Sequence, residues 1–300
     1  MIRLKGIYPV VPTPFEADGA IDFDSIDALT EFMVRKSVHG LAVLGALGEG
    51  HKLDAFERSQ VVRRFKSGMP DGFGLVVGVR AAATDLAVRM AQSAQKDGAD
   101  ALLLGPPPVQ SDPALLTYYR RVAASVSLPV IIHDYPAATG IFMTPDLIAK
   151  IYHTTENIHY IKLEDPPTGP KMMAVLEKTG KKIKIFGALG GLYAFEELDR
   201  GAVGIMTGFA YPELLVTIYQ RFHTGDIEGA ATLFYDMLPL NRLEFQPGIG
   251  VSIRKKVFVQ RGIFKTSYVR HPGQDADAKT MEHIFRIVAH LKKRGYEITD

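Results

Sequence analysis

Gly74-Leu75-Val76-Val77-Gly78-Val79, then Thr84 to Lys96, then Ala101-Leu102-Leu103-Leu104 carry the pattern from which the architecture follows. The short apolar runs at either end read as strands. The longer segment between them has helical period and ends at Asp97-Gly98, a helix stop. Strand, helix and strand in succession make a βαβ unit, and runs that are apolar throughout are strands of a parallel sheet covered on both faces.

The unit repeats in both directions. Ile7–Val11 and Leu41–Leu44 precede it, and Pro129–His133, His159–Lys162, Lys184–Phe186 and Val203–Met206 follow, so that the runs number eight. The helical segments have legible ends. Asp24 to Lys36 is apolar at Ile26, Leu29, Phe32 and Met33, with Gly40 after it. Asp112-Pro113 and Thr144-Pro145 set a capping residue before a proline at the first helical position; Tyr211-Pro212 opens another helix with proline in the same place behind a poor cap. Eight units in about 210 residues is the count of a (β/α)8 barrel. A doubly wound sheet would more often have five or six strands, and no dinucleotide-type glycine fingerprint follows the first run. Beyond Gly225 only helices are expected, at Ile227–Leu238, Val251–Arg261 and Ala278–Lys293. The expected division is a catalytic barrel over residues 1–224 and a helical extension over 225–300 packed on it.

Composition narrows the function. The 300 residues carry 35 Lys+Arg against 33 Asp+Glu, a formal charge of +2, which makes no electrostatic case for nucleic acid or an anionic membrane as partner. Cysteine is absent, which excludes disulfides, thiolate metal sites, iron–sulfur clusters and cysteine nucleophiles. No segment approaches the ~18 apolar residues of a membrane span. Met1–Gly6 has no signal-peptide core, and Glu297–Asp300 carries no retention or lipidation signal. A cytoplasmic protein is expected. There is no His-Glu-x-x-His and no Gly-x-Ser-x-Gly, and neither a metal nor a cofactor is expected. His283 and His290 are read as solvated, and Arg254-Lys255-Lys256 as one charged helix face.

In a barrel of this kind the chemistry sits where the strands end at their C-termini. Ile161-Lys162-Leu163 puts a lysine inside an apolar strand. On an edge strand it would face solvent, but a closed barrel has no edges, so it points into the barrel mouth or toward the helices. Burial disfavours the charged amine, and a neutral amine attacks carbonyl carbon to form a Schiff base. Gly45-Ala46-Leu47-Gly48 leads toward a helix, so its N–H groups are placed either to hold a carboxylate or phosphate or simply to make a tight turn. The glycines at Gly187–Gly191 carry the same two readings. His133, beside Asp134 and Tyr135, is either a general acid/base or a rim histidine bonded to backbone.

In these residues the chain resembles the dihydrodipicolinate synthase / N-acetylneuraminate lyase family of class I aldolases. The resemblance rests on four features: the opening Gly6-Ile7-Tyr8-Pro9-Val10-Val11-Pro12-Thr13-Pro14-Phe15, the Gly-x-x-Gly-Glu loop at Gly45–Glu49, the stretch His133–Gly140, and the Ile161-Lys162 strand. It implies a (β/α)8 barrel with a C-terminal helical extension, assembled as a homotetramer. It implies that Lys162 forms an imine with the C2 carbonyl of a 2-keto acid and that Gly45, Ala46, Leu47 and Gly48 bind that acid's carboxylate.

Departures from the family pattern are equally informative. Its Gly-Thr-Thr-Gly-Glu loop reads Ala46 and Leu47 at the threonines. Its proton-relaying strand-five tyrosine falls on His133, its Tyr-Tyr after strand four on Pro107-Pro108, and its acceptor-binding arginine on Ala138. His133 is the first choice for the relay and Tyr135 the second. Glu164, Gly187 and Thr207 are further candidates for the site, although a carboxylate at Glu164 would favour the charged lysine. His133-Asp134-Tyr135-Pro136 with Lys162–Pro167 is similar to the subgroup that includes 2-keto-3-deoxy sugar-acid dehydratases. The expected activity is a Schiff-base lyase on a 2-keto acid, by aldol chemistry or dehydration. The alternatives are genuine dihydrodipicolinate synthesis from pyruvate and aspartate semialdehyde, or a non-catalytic binding paralogue.

Overall fold

Each apolar run pairs with its neighbours in parallel. In a computed structural model that describes residues 3–299, the strands are β1 (Gly6–Ile7), β2 (Gly40–Val43), β3 (Gly74–Val79), β4 (Ala101–Leu104), β5 (Val130–Asp134), β6 (Ile158–Leu163), β7 (Lys184–Gly187) and β8 (Gly204–Ile205). The readings made at Met1, Ile2 and Asp300 lie outside the described residues. The sheet order is β1-β8-β7-β6-β5-β4-β3-β2. A parallel bridge between Val10 and Ala42 joins its two ends, making the expected (β/α)8 barrel.

The first run is a strand for fewer residues than Ile7–Val11, because Pro9 has no N–H to give to the ladder. Tyr8 and Val10 still donate to the carbonyls of Ile205 and Thr207, each at 2.9 Å, and the Pro9 carbonyl accepts from Ala42 at 2.9 Å. The wall is therefore continuous where the formal strand stops.

The helices between and after the strands are α1 (Phe23–Arg35), α2 (Ala55–Ser67), α3 (Thr84–Lys96), α4 (Asp112–Ala124), α5 (Pro136–Thr139), α6 (Pro145–His153), α7 (Thr168–Lys178), α8 (Ala194–Asp199), α9 (Pro212–Thr224), α10 (Ile227–Glu244), α11 (Gly250–Gln260) and α12 (Ala278–Lys293). Thr144 caps α6 as expected, accepting from the Leu147 N–H at 3.2 Å. For α4 the cap is one residue earlier, at Ser111, so that Asp112 is already helical. α10 continues past the expected Leu238 and runs through Pro239, because Leu240, Asn241 and Glu244 are buried beyond the proline and hold the last turns in place. Among the described residues no helix is long and apolar enough to cross a membrane.

Strand alternation makes two cores. Tyr8, Val76, Leu103, Ile131, Tyr160, Phe186 and Met206 fill the barrel. Their neighbours in sequence, among them Val77, Leu102, Ile132 and Ile161, face outward under the helices. Full burial of one such large apolar side chain contributes roughly 1.5–3 kcal/mol. The same alternation places His133 and Lys162, two residues on from Ile131 and Tyr160, at the barrel mouth.

The charge run in α11 is not a solvated face. Arg254 and Lys255 are buried, paired with Glu244 at 3.3 Å and Glu49 at 2.6 Å, and only Lys256 keeps partial contact with water. Adjacent positions on a helix point in different directions, so one run of like charges divides between a buried and an open side. His283 and His290 are exposed, as expected.

Candidate active site

β5 and β6 pair in register, with His133 beside Lys162 and Asp134 beside Leu163. The pairing runs one step further, since the Glu164 N–H donates to the Asp134 carbonyl at 2.8 Å. Tyr135 and Glu164 therefore leave the strands on the same side as His133 and Lys162. The result is one cluster. The Lys162 amine, on a residue only 4% exposed, contacts Oε1 of Glu164 directly and lies 3.4 Å from Nε2 of His133. His133 Nε2 is 2.9 Å from the same Glu164 oxygen. The other Glu164 oxygen accepts from the Leu189 N–H at 3.1 Å. Tyr135 stacks on the imidazole with ring centroids 5.8 Å apart, and the Lys162 amine stands 5.8 Å from the Tyr135 ring centre.

The electrostatics follow from this packing. Burial opposes ionisation of Glu164, but Lys162 and the His133 contact outweigh it and hold the carboxyl below its ordinary range. Burial and the Lys162 charge pull His133 below the ordinary imidazole value despite Glu164, so its neutral form dominates at pH 7. Burial, with Glu164 nearby, pushes the Tyr135 phenol up to about 12, which keeps its proton on. A neutral imidazole, a protonated phenol and a carboxylate thus surround one amine.

A cavity of about 90 Å³ opens in front of that amine. Ala46, Leu47, Tyr135, Thr207 and Arg254 line it together with His133. The Gly45–Gly48 loop forms one wall as a turn closed by the Glu49 N–H to the Ala46 carbonyl (3.2 Å) and the Gly50 N–H to the Gly45 carbonyl (3.3 Å). The N–H groups of Ala46 and Leu47 take no part in these bonds. Gly48 lies behind, its carbonyl accepting from Thr13 Oγ1 at 2.6 Å, and a Cβ there would come within 2.7 Å of the Leu44 backbone. Leu44 and Glu49, on either side of the turn, both have positive φ, 56° and 52°. Such backbone persists where its surroundings over-determine it. Glu49 is gripped by Lys52 at 2.8 Å, by Lys255 at 2.6 Å and by the Arg270 N–H at 3.1 Å.

The structure thus brings together Lys162, His133, Tyr135, Glu164, Thr207, Gly45, Ala46 and Leu47. It leaves Gly187 outside this lining. A Cβ on Gly187 would meet a Glu197 carboxyl oxygen at 2.1 Å, so the glycine makes room for that buried acid. Arg254 and Phe245 line the cavity and were not among the sequence candidates. Nothing in a run of three basic residues distinguishes the one that reaches the cavity. Glu164 is a site candidate in the sequence, but two residues of spacing do not reveal that its carboxylate bridges the lysine and the histidine. Among the described residues no group of three His, Asp or Glu side chains is placed to hold a metal ion.

Comparison with known proteins agrees with this architecture. The chain is 30% identical over 247 residues to a probable 2-dehydro-3-deoxy-D-pentonate aldolase of Escherichia coli, covering 80% of this chain and 81% of that one. It is 25% identical over 298 residues to an L-2-keto-3-deoxyarabonate dehydratase of Azospirillum brasilense, covering 96% and 95%. Its fold superposes on a crystal structure of dihydrodipicolinate synthase from Rhodopseudomonas palustris with a TM-score of 0.90 at 33% identity, covering 96% and 99%. The dihydrodipicolinate synthetase family model matches residues 3–291. A barrel of eight parallel strands whose mouth holds this lysine, matched by that family over nearly its whole length, belongs to the dihydrodipicolinate synthetase family and is one of its lyases.

Proposed function

We propose that this enzyme acts on a 2-keto-3-deoxy sugar acid through an imine at Lys162. The observation that carries the reading is the buried Lys162 amine, in contact with Glu164, beside His133, and facing a cavity large enough for the reacting end of a keto acid. The keto acid's carboxylate lies against the Ala46 and Leu47 N–H groups. The Lys162 ammonium first gives a proton to His133, its nitrogen then attacks the C2 carbonyl, the carbonyl oxygen takes one proton from that nitrogen and one from the histidine and leaves as water, and the iminium becomes an electron sink. For dehydration, neutral His133 removes a C3 proton, and the C3–H electron pair gives an enamine. The C4 hydroxyl then departs as water, with its proton supplied by Tyr135 or by the histidine that has just gained one. For aldol cleavage the base takes the C4 hydroxyl proton instead, the C3–C4 pair moves into the iminium, an aldehyde leaves, and the base returns its proton to C3 of the enamine left on Lys162. Water releases the product from Lys162 in either case.

Two features favour a sugar-acid substrate over the condensation of pyruvate with aspartate semialdehyde. Pro107, Pro108 and Ala138 stand where the resemblance places two tyrosines and an arginine. Relatives over 80% and 96% of the chain bear the names of a pentonate aldolase and an arabonate dehydratase. The proposal extends to the division into a catalytic barrel, residues 1–224, and a helical extension, 225–300. It also extends to work in the cytoplasm and to a homotetramer, which sedimentation will show as a single species at four chain masses.

The experiment is intact-mass spectrometry after borohydride reduction with pyruvate and with 2-keto-3-deoxy pentonates and hexonates, followed by product analysis. An adduct on wild type and none on Lys162→Ala is expected, with the sugar acids turned over. An adduct with pyruvate and turnover only with aspartate semialdehyde would replace the substrate reading. No adduct with any keto acid would return the barrel to a binding role.

A further inference from the structure

The inner cavity of about 90 Å³ shares part of its lining with a second chamber of about 410 Å³, for Gly45, Ala46, Leu103, His133 and Tyr135 line both. A three-carbon keto acid has no use for the outer space. The residues lining it include Arg80, Arg58 and His51, and no aspartate or glutamate. Neither arginine is paired with a carboxylate among the described residues. Arg58 donates to the Gly50 carbonyl at 2.7 Å and to the Gly78 carbonyl at 2.6 Å. Its burial pulls the guanidinium down to about 10, with no acidic neighbour offsetting it. Arg80 is exposed to the chamber and makes only long bonds, from Nε to the Pro106 carbonyl at 3.2 Å and from Nη2 to the Thr139 carbonyl at 3.3 Å. Its stem crosses Gly105, where a Cβ would lie 3.2 Å from Cδ.

Two cations sharing an acid-free recess leave its field uncompensated, and partly desolvated charge of one sign is an attraction for the other. A guanidinium held by two stretched carbonyl bonds gives them up readily for a bidentate acid group. We propose that the outer chamber is a subsite for a second anionic group, a carboxylate or phosphate at the far end of the 2-keto acid, with Arg80 as its direct partner and Arg58 as the fixed charge behind it. This rests on the imine reading above. A chain anchored at Lys162 that passes His133 and Tyr135, which line both spaces, carries its tail toward Arg80.

Borohydride trapping of 2-oxoadipate and 2-oxohexanoate tests it, since these chains have equal length and differ in the charge of the far end. The concentration for half-maximal adduct should be about tenfold lower for 2-oxoadipate, the worth of one charge-assisted contact. That ratio should collapse toward one in Arg80→Gln and be kept in part by Arg80→Lys. Inorganic phosphate and propionate as competitors then assign the terminal group, by which of them raises the 2-oxoadipate concentration at lower dose in wild type. Equal trapping of the two acids by wild type, or a ratio that survives Arg80→Gln, overturns the subsite. If pyruvate is trapped while the ratio is one, the subsite fails and the imine stands. If no keto acid is trapped, the imine fails, and calorimetric titration of glutarate decides the subsite by itself: heat that disappears in Arg80→Gln supports it, and absence of binding to wild type overturns it.

Discussion

Two lysine–glutamate pairs lie buried in this barrel, and their surroundings differ. Lys255 meets Glu49 at 2.6 Å, the Tyr268 carbonyl at 2.7 Å and the face of Phe15 at 4.3 Å, so its donors are spent on protein. Burial, against the pull of Glu49, brings its pKa down to about 8. Lys162 also meets a glutamate, but its remaining side opens on His133 and a cavity. Burial and an altered proton affinity are therefore not enough to make a lysine a nucleophile. Space for a carbonyl carbon, with a base within reach, separates the two. Lys255 reaches the cavity only at one remove, since its partner Glu49 follows the turn that lines it.

Substitution should separate the two lysines, with the largest effect at Lys162. Lys162→Ala should abolish the borohydride adduct and lower turnover by about 10⁴-fold or more, as expected for loss of a nucleophile. Retained turnover in that variant would mean that the wrong lysine has been chosen. His133→Asn should still form the adduct but lose about 10²–10³-fold in turnover, the usual worth of a positioned acid/base. In wild type the rate should fall as pH drops below the ordinary imidazole value of 6.5, because His133 must be neutral to accept a proton and its pKa is depressed. The limb should vanish in His133→Asn, leaving a flat profile there.

Lys255→Met should act on stability instead. It removes one of the two lysines that hold the buried Glu49 carboxylate and leaves Lys52 on the other oxygen, at a cost of about 2 kcal/mol, read as a lower denaturation midpoint with the pyruvate adduct still formed on Lys162. Adding Glu49→Gln should recover part of that loss, a coupling that a double-mutant cycle measures.

The smallest effect concerns Glu197. Burial raises its carboxyl to about 8, so the native state holds a proton that the unfolded chain gives up near the ordinary value of 4.5. The stability contributed by that proton is complete below about 4.5 and lost as pH rises through 8. Glu197→Gln should flatten this loss by about 3 °C in midpoint between pH 6 and 9, and an unchanged slope would show that Glu197 is ionised in the native state.

Much of this molecule is legible in one dimension. β3, β4, α3 and α12 stand where the apolar runs and helix stops place them, because each is a local pattern with local ends. Lys162 is legible for a related reason, since a charge inside an apolar strand contradicts its own neighbourhood. Glu164 as the bridge, Arg254 in the cavity wall, Lys255 in its clamp and Arg80 beside the outer chamber are not legible in this way. Lys255 and Glu49 are 206 residues apart and Arg80 and Thr139 are 59 apart, and no local period speaks of such pairs.

Read alone, the amino-acid order carries the period of the barrel, the anomaly of a lysine inside an apolar strand, and the absence of cysteine chemistry. Tertiary structure alone decided which charges are paired, which are dry and which face empty space. Side-chain period is set by bond geometry within a few residues. Burial and electrostatic partnership are set by which distant segments the closed barrel brings within a few ångströms of one another.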